Sequence, residues 1–174
     1  MTENKVPRAS VEINPSSEEK GHWVIKAEQW LPVPVEELFP FFADARNLGE
    51  ITPPWLKFIV LTPPPFDMKP GLLLDYKLKL RGIPIRWRTE ITEWEPPKGF
   101  VDIQLKGPYK VWHHRHSFVP DEGGSLVLDE VVYRATGGWL ANKILVQKDL
   151  QKVFTYRQQV LHERFGSGIS EDGA

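Results

Sequence analysis

The sequence predicts an α+β fold in which a curved antiparallel sheet of seven strands wraps one long C-terminal helix, with two short helices after the first strand. Three observations carry this expectation. From Gly71 to Arg134 apolar and polar residues alternate with a period of two, interrupted only by turn signals. From Trp139 to about Phe165 the period is helical, with Val146, Leu150, Val153, Phe154, Val160, Leu161 and Phe165 in one stripe at about 100° per residue. A meandering sheet cannot cover its own concave face, and this helix is the only element long enough to cover it. A space left between the two is a natural ligand cavity.

The elements follow in order. Residues 1–20 are polar, proline-bearing and aperiodic, and read as a disordered tail. His22 to Leu31 reads as a strand, ended by Pro32 and Pro34. Val35 to Ala43 has helical spacing with Leu38, Phe39 and Phe42 on one side, and Pro40 keeps it short or bent. Asp44 can cap a second short helix running to about Glu50. Two proline clusters then bracket a short apolar strand, Lys57 to Leu61; prolines cannot donate to a sheet ladder, so the clusters are loops.

Leu72, Leu74, Tyr76, Leu78 and Leu80 alternate with Leu73, Asp75, Lys77, Lys79 and Arg81, and the alternation resumes at Ile85, Trp87, Thr89 and Ile91. A two-residue loop is expected to pair Leu80 with Ile85, Leu78 with Trp87 and Leu74 with Ile91, so that apolar residues share one face. On the other face Lys79 then opposes Arg86 and Lys77 opposes Arg88, a like-charge arrangement that costs stability. This basic surface is either a docking site for an acidic partner or a solvated face relieved by Glu90 and other acidic neighbours. Three more strands follow, Phe100–Leu105, Lys110–Val119 and Ser125–Arg134, then Gly137-Gly138 and the long helix. The domain is therefore expected to span residues 21–166, with 167–174 a second tail.

Composition limits the function. With 174 residues, 41% hydrophobic and 26% charged, the chain has the make-up of one globular domain with a sizeable core. Cysteine is absent, which removes disulfides, thiolate nucleophiles and cysteine-ligated metal sites. A formal net charge of −1 offers no global field for nucleic acid or an anionic membrane. No apolar stretch approaches the ~18 residues of a membrane span, and no apolar signal segment opens the chain, so a soluble cytoplasmic protein is the default expectation. No phosphate-binding glycine loop and no G-x-S-x-G nucleophile elbow is present. Seven tryptophans are many for this length; each buries a large ring and needs a partner for its N–H, which suits an aromatic core or a ligand pocket.

The sharpest chemical signal is WHHRHSF. On a strand Trp112, His114, His116 and Phe118 share one face and His113, Arg115 and Ser117 the other; the aromatic ends mark the first face as inner. Whether Asp102 and Gln104 face inward beside these histidines depends on the Gly107-Pro108 loop. An odd loop turns them in; a two-residue loop turns Val101, Ile103 and Leu105 in instead. Across the next hairpin His116 is compatible with Asp129 as a partner. Such a cluster can hold strands in register, orient the polar end of a ligand, or act as acid and base through a His–Asp pair. A metal is not expected, because no third nitrogen ligand accompanies the His-x-His pair. In the helix, Arg157 falls near the middle of the apolar stripe. A guanidinium keeps its charge, so its head either snorkels to water or is paired with Asp102, Asp129 or an anionic ligand end.

The strings FFADARNLGEITPPWLKF, GLLLDYKLKLRGIPIRWRTEI, FVDIQLKGPYKVWHHRHSF, GGSLVLDEVVYR and VFTYR occur in that order between about residues 23 and 165. In them the chain resembles the START-like or SRPBCC helix-grip superfamily, which includes polyketide cyclase/dehydrase-like proteins, and within it a bacterial group of ligand-binding proteins. The resemblance implies that Asp102, Gln104, Trp112, His114, His116 and Asp129 are motif residues facing inward. Because the fold hosts lipid carriers, cyclases and hormone receptors, it does not by itself fix a function. The expectation is a small hydrophobic or amphipathic molecule held in an internal cavity, with no cofactor. Tyr76, Leu78, Trp87, Trp112, Leu150 and Phe154 would line that cavity, and Gln104, His114, His116, Asp129 and Arg157 would meet the polar end of the ligand. The alternative is a cyclase/dehydrase-type enzyme using His114 or His116 with Asp102.

Overall fold

A computed structural model of the chain describes residues 8–167. Its strands are β1 (Ala9–Pro15), β2 (Trp23–Leu31), β3 (Ile59–Val60), β4 (Leu73–Leu80), β5 (Ile83–Glu95), β6 (Gly99–Lys106), β7 (Tyr109–Asp121) and β8 (Gly124–Ala135). They form one antiparallel sheet in the order β1-β2-β8-β7-β6-β5-β4-β3. The helices are α1 (Val35–Phe42), α2 (Gly138–Ala141) and α3 (Gln147–Phe165), with a π-helical turn, Asn142–Val146, joining the last two. This is the expected helix-grip plan with one strand more.

The added strand is β1, which occupies part of the stretch expected to be a tail. Val11 and Ile13 pair with Ala27 and Ile25 of β2 and pack on the cluster around Tyr133 and Leu150. Two apolar residues among Glu12, Asn14 and Pro15 are too few to announce a strand, but an exposed β2 edge supplies the backbone partners. Of the tails expected over residues 1–20 and 167–174, the parts at 1–7 and 168–174 lie outside the described residues. The strand expected over Lys57–Leu61 is only Ile59–Val60, because Lys57 closes the preceding 3₁₀ turn with a left-handed backbone (φ 46°).

The β4–β5 hairpin has the expected faces but not the expected register. Arg81 and Gly82 both have positive φ (51° and 83°), the geometry of a tight two-residue turn, and Leu80 pairs with Ile83. Leu78 therefore meets Ile85, Tyr76 meets Trp87 and Leu74 meets Thr89, two residues away from the expected partners. A shift of two keeps every side chain on its own face. It also rearranges the charges. Lys79 faces Pro84, only Lys77 and Arg86 remain a like-charged pair, and Arg88 is neutralised by Asp75 through two hydrogen bonds of 2.8 and 2.9 Å.

α1 keeps its helical form through Pro40 and buries Val35, Leu38, Phe39, Phe41 and Phe42 against β7 and β8 residues such as Phe118 and Val127. Asp44 caps the next turn as expected, accepting from the backbone N–H of Arg46, although that turn is 3₁₀ rather than α. α3 lays Leu150, Phe154, Arg157 and Leu161 on the concave face of the sheet.

β6 and β7 approach closely at Gly99, where an added Cβ would lie 2.1 Å from the backbone oxygen of His116. Backbone cannot yield as a side-chain tip does. Gly99→Ala is therefore expected to cost about 2–3 kcal/mol by forcing the strands apart, read as a lower urea midpoint. A change below about 0.5 kcal/mol would show that the two strands are not held at this spacing.

Candidate functional site

Between the sheet, α1 and α3 lies a cavity of about 890 Å3. Tyr76, Leu78, Trp87, Trp112, Leu150 and Phe154 all border it. One wall is aromatic. Trp112 lies 5.4 Å from Trp87 and 4.7 Å from Tyr109 between ring centroids, and the Trp87 N–H donates to Thr89 Oγ1 at 3.0 Å. The opposite wall comes from α1 and the segments after it, including Phe42, Leu48, Ile51 and Trp55. The hydrophobic period puts Phe42 on the apolar face of its short helix but does not reveal Leu48, Ile51 and Trp55, which lie in irregular chain, as cavity lining.

Asp102, His114, His116 and Arg157 form a buried polar cluster in the lining, and Asp44, Asn47, Arg81, Asp149 and Lys152 also border the cavity. Asp102 faces inward although only Gly107 and Pro108 separate β6 from β7. β7 carries an extra residue between Tyr109 and Val111, and Asp102 pairs with His114 across the strands. Loop length alone does not decide which face Asp102 takes. Gln104 has a different task from the one expected. Its amide donates to the Tyr109 carbonyl at 2.7 Å and accepts from the Tyr109 N–H at 3.3 Å, so it fastens the turn and does not border the cavity. Asp129 does not border the cavity either. It sits behind the two histidines, 6% exposed, on β8 directly opposite His116.

Asp129 organises the cluster. Its Oδ1 accepts from Nε2 of His114 at 2.9 Å and lies 3.1 Å from Nδ1 of His116 and 3.3 Å from Nη2 of Arg157. Asp102 Oδ2 accepts from Nε2 of His116 at 2.8 Å and lies 3.9 Å from Nδ1 of His114. The two imidazoles are 3.7 Å apart between centroids, and Phe100 stacks on the far side of His116 at 4.1 Å. Arg157 is 9% exposed, its guanidinium 5.5 Å from the Phe42 ring. The snorkelling alternative for Arg157 is thereby excluded, and its sheet partner is Asp129.

The charges follow from these contacts. Burial penalises ionised Asp129, yet Arg157 and the two histidines outweigh it and hold the carboxyl well below its usual range. Burial also opposes ionisation of Asp102 most strongly, but its bond to His116 together with the charges of His114, His116 and Arg157 lowers it on balance. His114 is pushed down by burial and by the neighbouring His116 charge. His116 is pushed up because its hydrogen bonds to Asp102 and Asp129 outweigh its burial. At the ordinary imidazole value of 6.5 these opposite directions favour charge on His116 over His114, beside two carboxylates and Arg157. In chelator-treated protein at pH 6.5, nitrogen-detected NMR of the imidazoles is expected to find His116 mainly charged and His114 mainly neutral. The reverse assignment would refute this distribution.

Solved structures from several bacteria share the fold. Protein Ms6760 from Mycobacterium smegmatis aligns with a TM-score of 0.63 at 17% identity, over 90% of this chain and 97% of that one. TTHA0849 from Thermus thermophilus aligns at 0.60 with 21% identity, over 84% and 99%. CV1439 from Chromobacterium violaceum aligns at 0.62 with 14% identity, over 82% and 96%. No curated protein matches the chain. Among the described residues, no helix is long and apolar enough to cross a membrane. The profile of the polyketide cyclase/dehydrase and lipid transport family matches residues 31–159, the stretch that supplies α1, seven of the eight strands at least in part, and most of α3, and the chain belongs to that family.

Proposed function

We propose that the protein binds a small hydrophobic or amphipathic molecule inside the sheet, with its apolar body against the aromatic wall and α3 and its polar end at Asp102, His114, His116 and Arg157. The observation that carries this reading is the cavity of about 890 Å3, a volume within the range of small-molecule sites. A mainly apolar wall with a few convergent polar groups is also the usual composition of such sites. The family's description, which couples cyclases and dehydrases with lipid transport, supports the same class of ligand.

The test uses the amphipathic dye 1-anilinonaphthalene-8-sulfonate. Wild type is expected to bind it saturably at one site, and Leu78→Trp, which pushes a bulky ring into the cavity from its lining, is expected to weaken binding about tenfold. Leu78→Trp that binds the dye unchanged would place the dye elsewhere and contradict the reading. An acid–base reaction on the bound molecule is the second reading, favoured by one observation: the His116–Asp102 pair borders the cavity and is not sealed behind it. Docking through the basic hairpin receives less support, since Arg88 is paired with Asp75 and Arg81 with Asp149.

A further inference from the structure

Asp129 faces one nitrogen of each histidine, with a hydrogen bond to His114 and a close contact to His116, whose Nδ1 also has Arg157 Nη2 at 3.4 Å. Asp129 takes the Nε2 side of His114 and the Nδ1 side of His116, at 2.9 and 3.1 Å. Each ring turns its other nitrogen toward Asp102, and Asp102, His114 and His116 can each offer one ligand atom with all three within 4.8 Å of one another. His116 Nε2 has Asp102 Oδ2 as its partner at 2.8 Å, whereas His114 Nδ1 stands 3.9 Å from that oxygen and makes no hydrogen bond. All three groups border the cavity.

A metal-binding histidine characteristically gives its outer N–H to a carboxylate, which fixes the tautomer and aims the other nitrogen. Asp129 is placed to do this for both rings. Two imidazoles and one carboxylate on one side, with free space on the other, form a set suited to a divalent transition ion that keeps open positions. The want of a third nitrogen in the sequence does not count against it, because the third ligand is an oxygen from the neighbouring strand. Ligand distances of about 2.0–2.2 Å require the 3.9 Å gap to close and the 2.8 Å contact to widen slightly, movements open to side chains on two paired strands. With both carboxylates ionised and Arg157 present, neutral histidines leave the cluster one negative charge, which a dication more than offsets.

We propose that Asp102, His114 and His116 bind one divalent transition-metal ion, with Asp129 as the outer carboxylate that orients both histidines and the cavity supplying the open coordination positions. The site does not depend on which molecule occupies the cavity.

The test starts from full-length protein stripped with chelator. Cobalt(II) is expected to give visible absorption bands of an ordered low-coordinate site at one equivalent, and zinc(II) to displace it. His114→Ala and His116→Ala are expected to lose the bands, whereas His113→Ala, on the opposite face, keeps them. Asp129→Asn is expected to weaken zinc binding about 10–100-fold while the bands remain at higher cobalt concentration. Near-ultraviolet circular dichroism identifies any variant that has lost its fold. Wild type that develops no such bands would overturn the site without touching the dye-binding result, and bands that persist in both His114→Ala and His116→Ala would overturn it as well.

Discussion

Arg157→Met is expected to destabilise the protein by about 3–5 kcal/mol, read from chemical unfolding. The methionine keeps most of the apolar stem, so the loss reports the guanidinium. That group is 9% exposed, lies 3.3 Å from Asp129 and packs over Phe42. Removing it leaves Asp129 ionised and buried with only the two histidines as partners. A snorkelling head would cost far less, because water already solvates it. A loss below about 1 kcal/mol would show that Arg157 contributes as a surface residue does.

The second large effect is at the other end of the same pair. Asp129→Leu is expected to cost about 3–5 kcal/mol, because it strands Arg157 and removes the acceptor for His114 and the second partner of His116 at once. The informative comparison is the double variant. Once both charges are gone, neither is left buried alone, and Asp129→Leu with Arg157→Met is expected to be more stable than the sum of the single losses by about 2 kcal/mol or more. Simple additivity would show that the two side chains do not act on each other.

The sequence made some of this legible and concealed the rest for identifiable reasons. Helical phase placed Arg157 in the apolar stripe of α3, and strand parity placed His114 and His116 together on the inner face. Parity does not distinguish a register from one shifted by two, so it admits Leu78 opposite Trp87 where the partner is Ile85. Nor could it place Asp102, whose orientation depends on an extra residue in β7. Gln104 shares Asp102's face by parity, but a long amide can turn back to its own hairpin, and it binds Tyr109. The choice between Asp102 and Asp129 as partner of Arg157 required the crossing of α3 over the sheet, which no one-dimensional pattern contains. Leu48 and Ile51 carry no facing signal because that chain follows no period, and Phe42 shares the apolar face of a short helix whose period marks burial but not cavity.

The folded chain leaves a large space where a well-packed domain would place side chains, and it keeps a balanced set of buried charges at that space instead of a cheaper apolar patch. Both features fit a molecule whose apolar body and polar end are recognised separately. Native mass spectrometry of the protein purified without organic solvent tests this most directly. The account predicts a population carrying one additional small molecule, released on denaturation and diminished in Leu78→Trp. Protein that is uniformly free of ligand, and that stays free after incubation with a graded series of alkyl acids and alcohols, would contradict it.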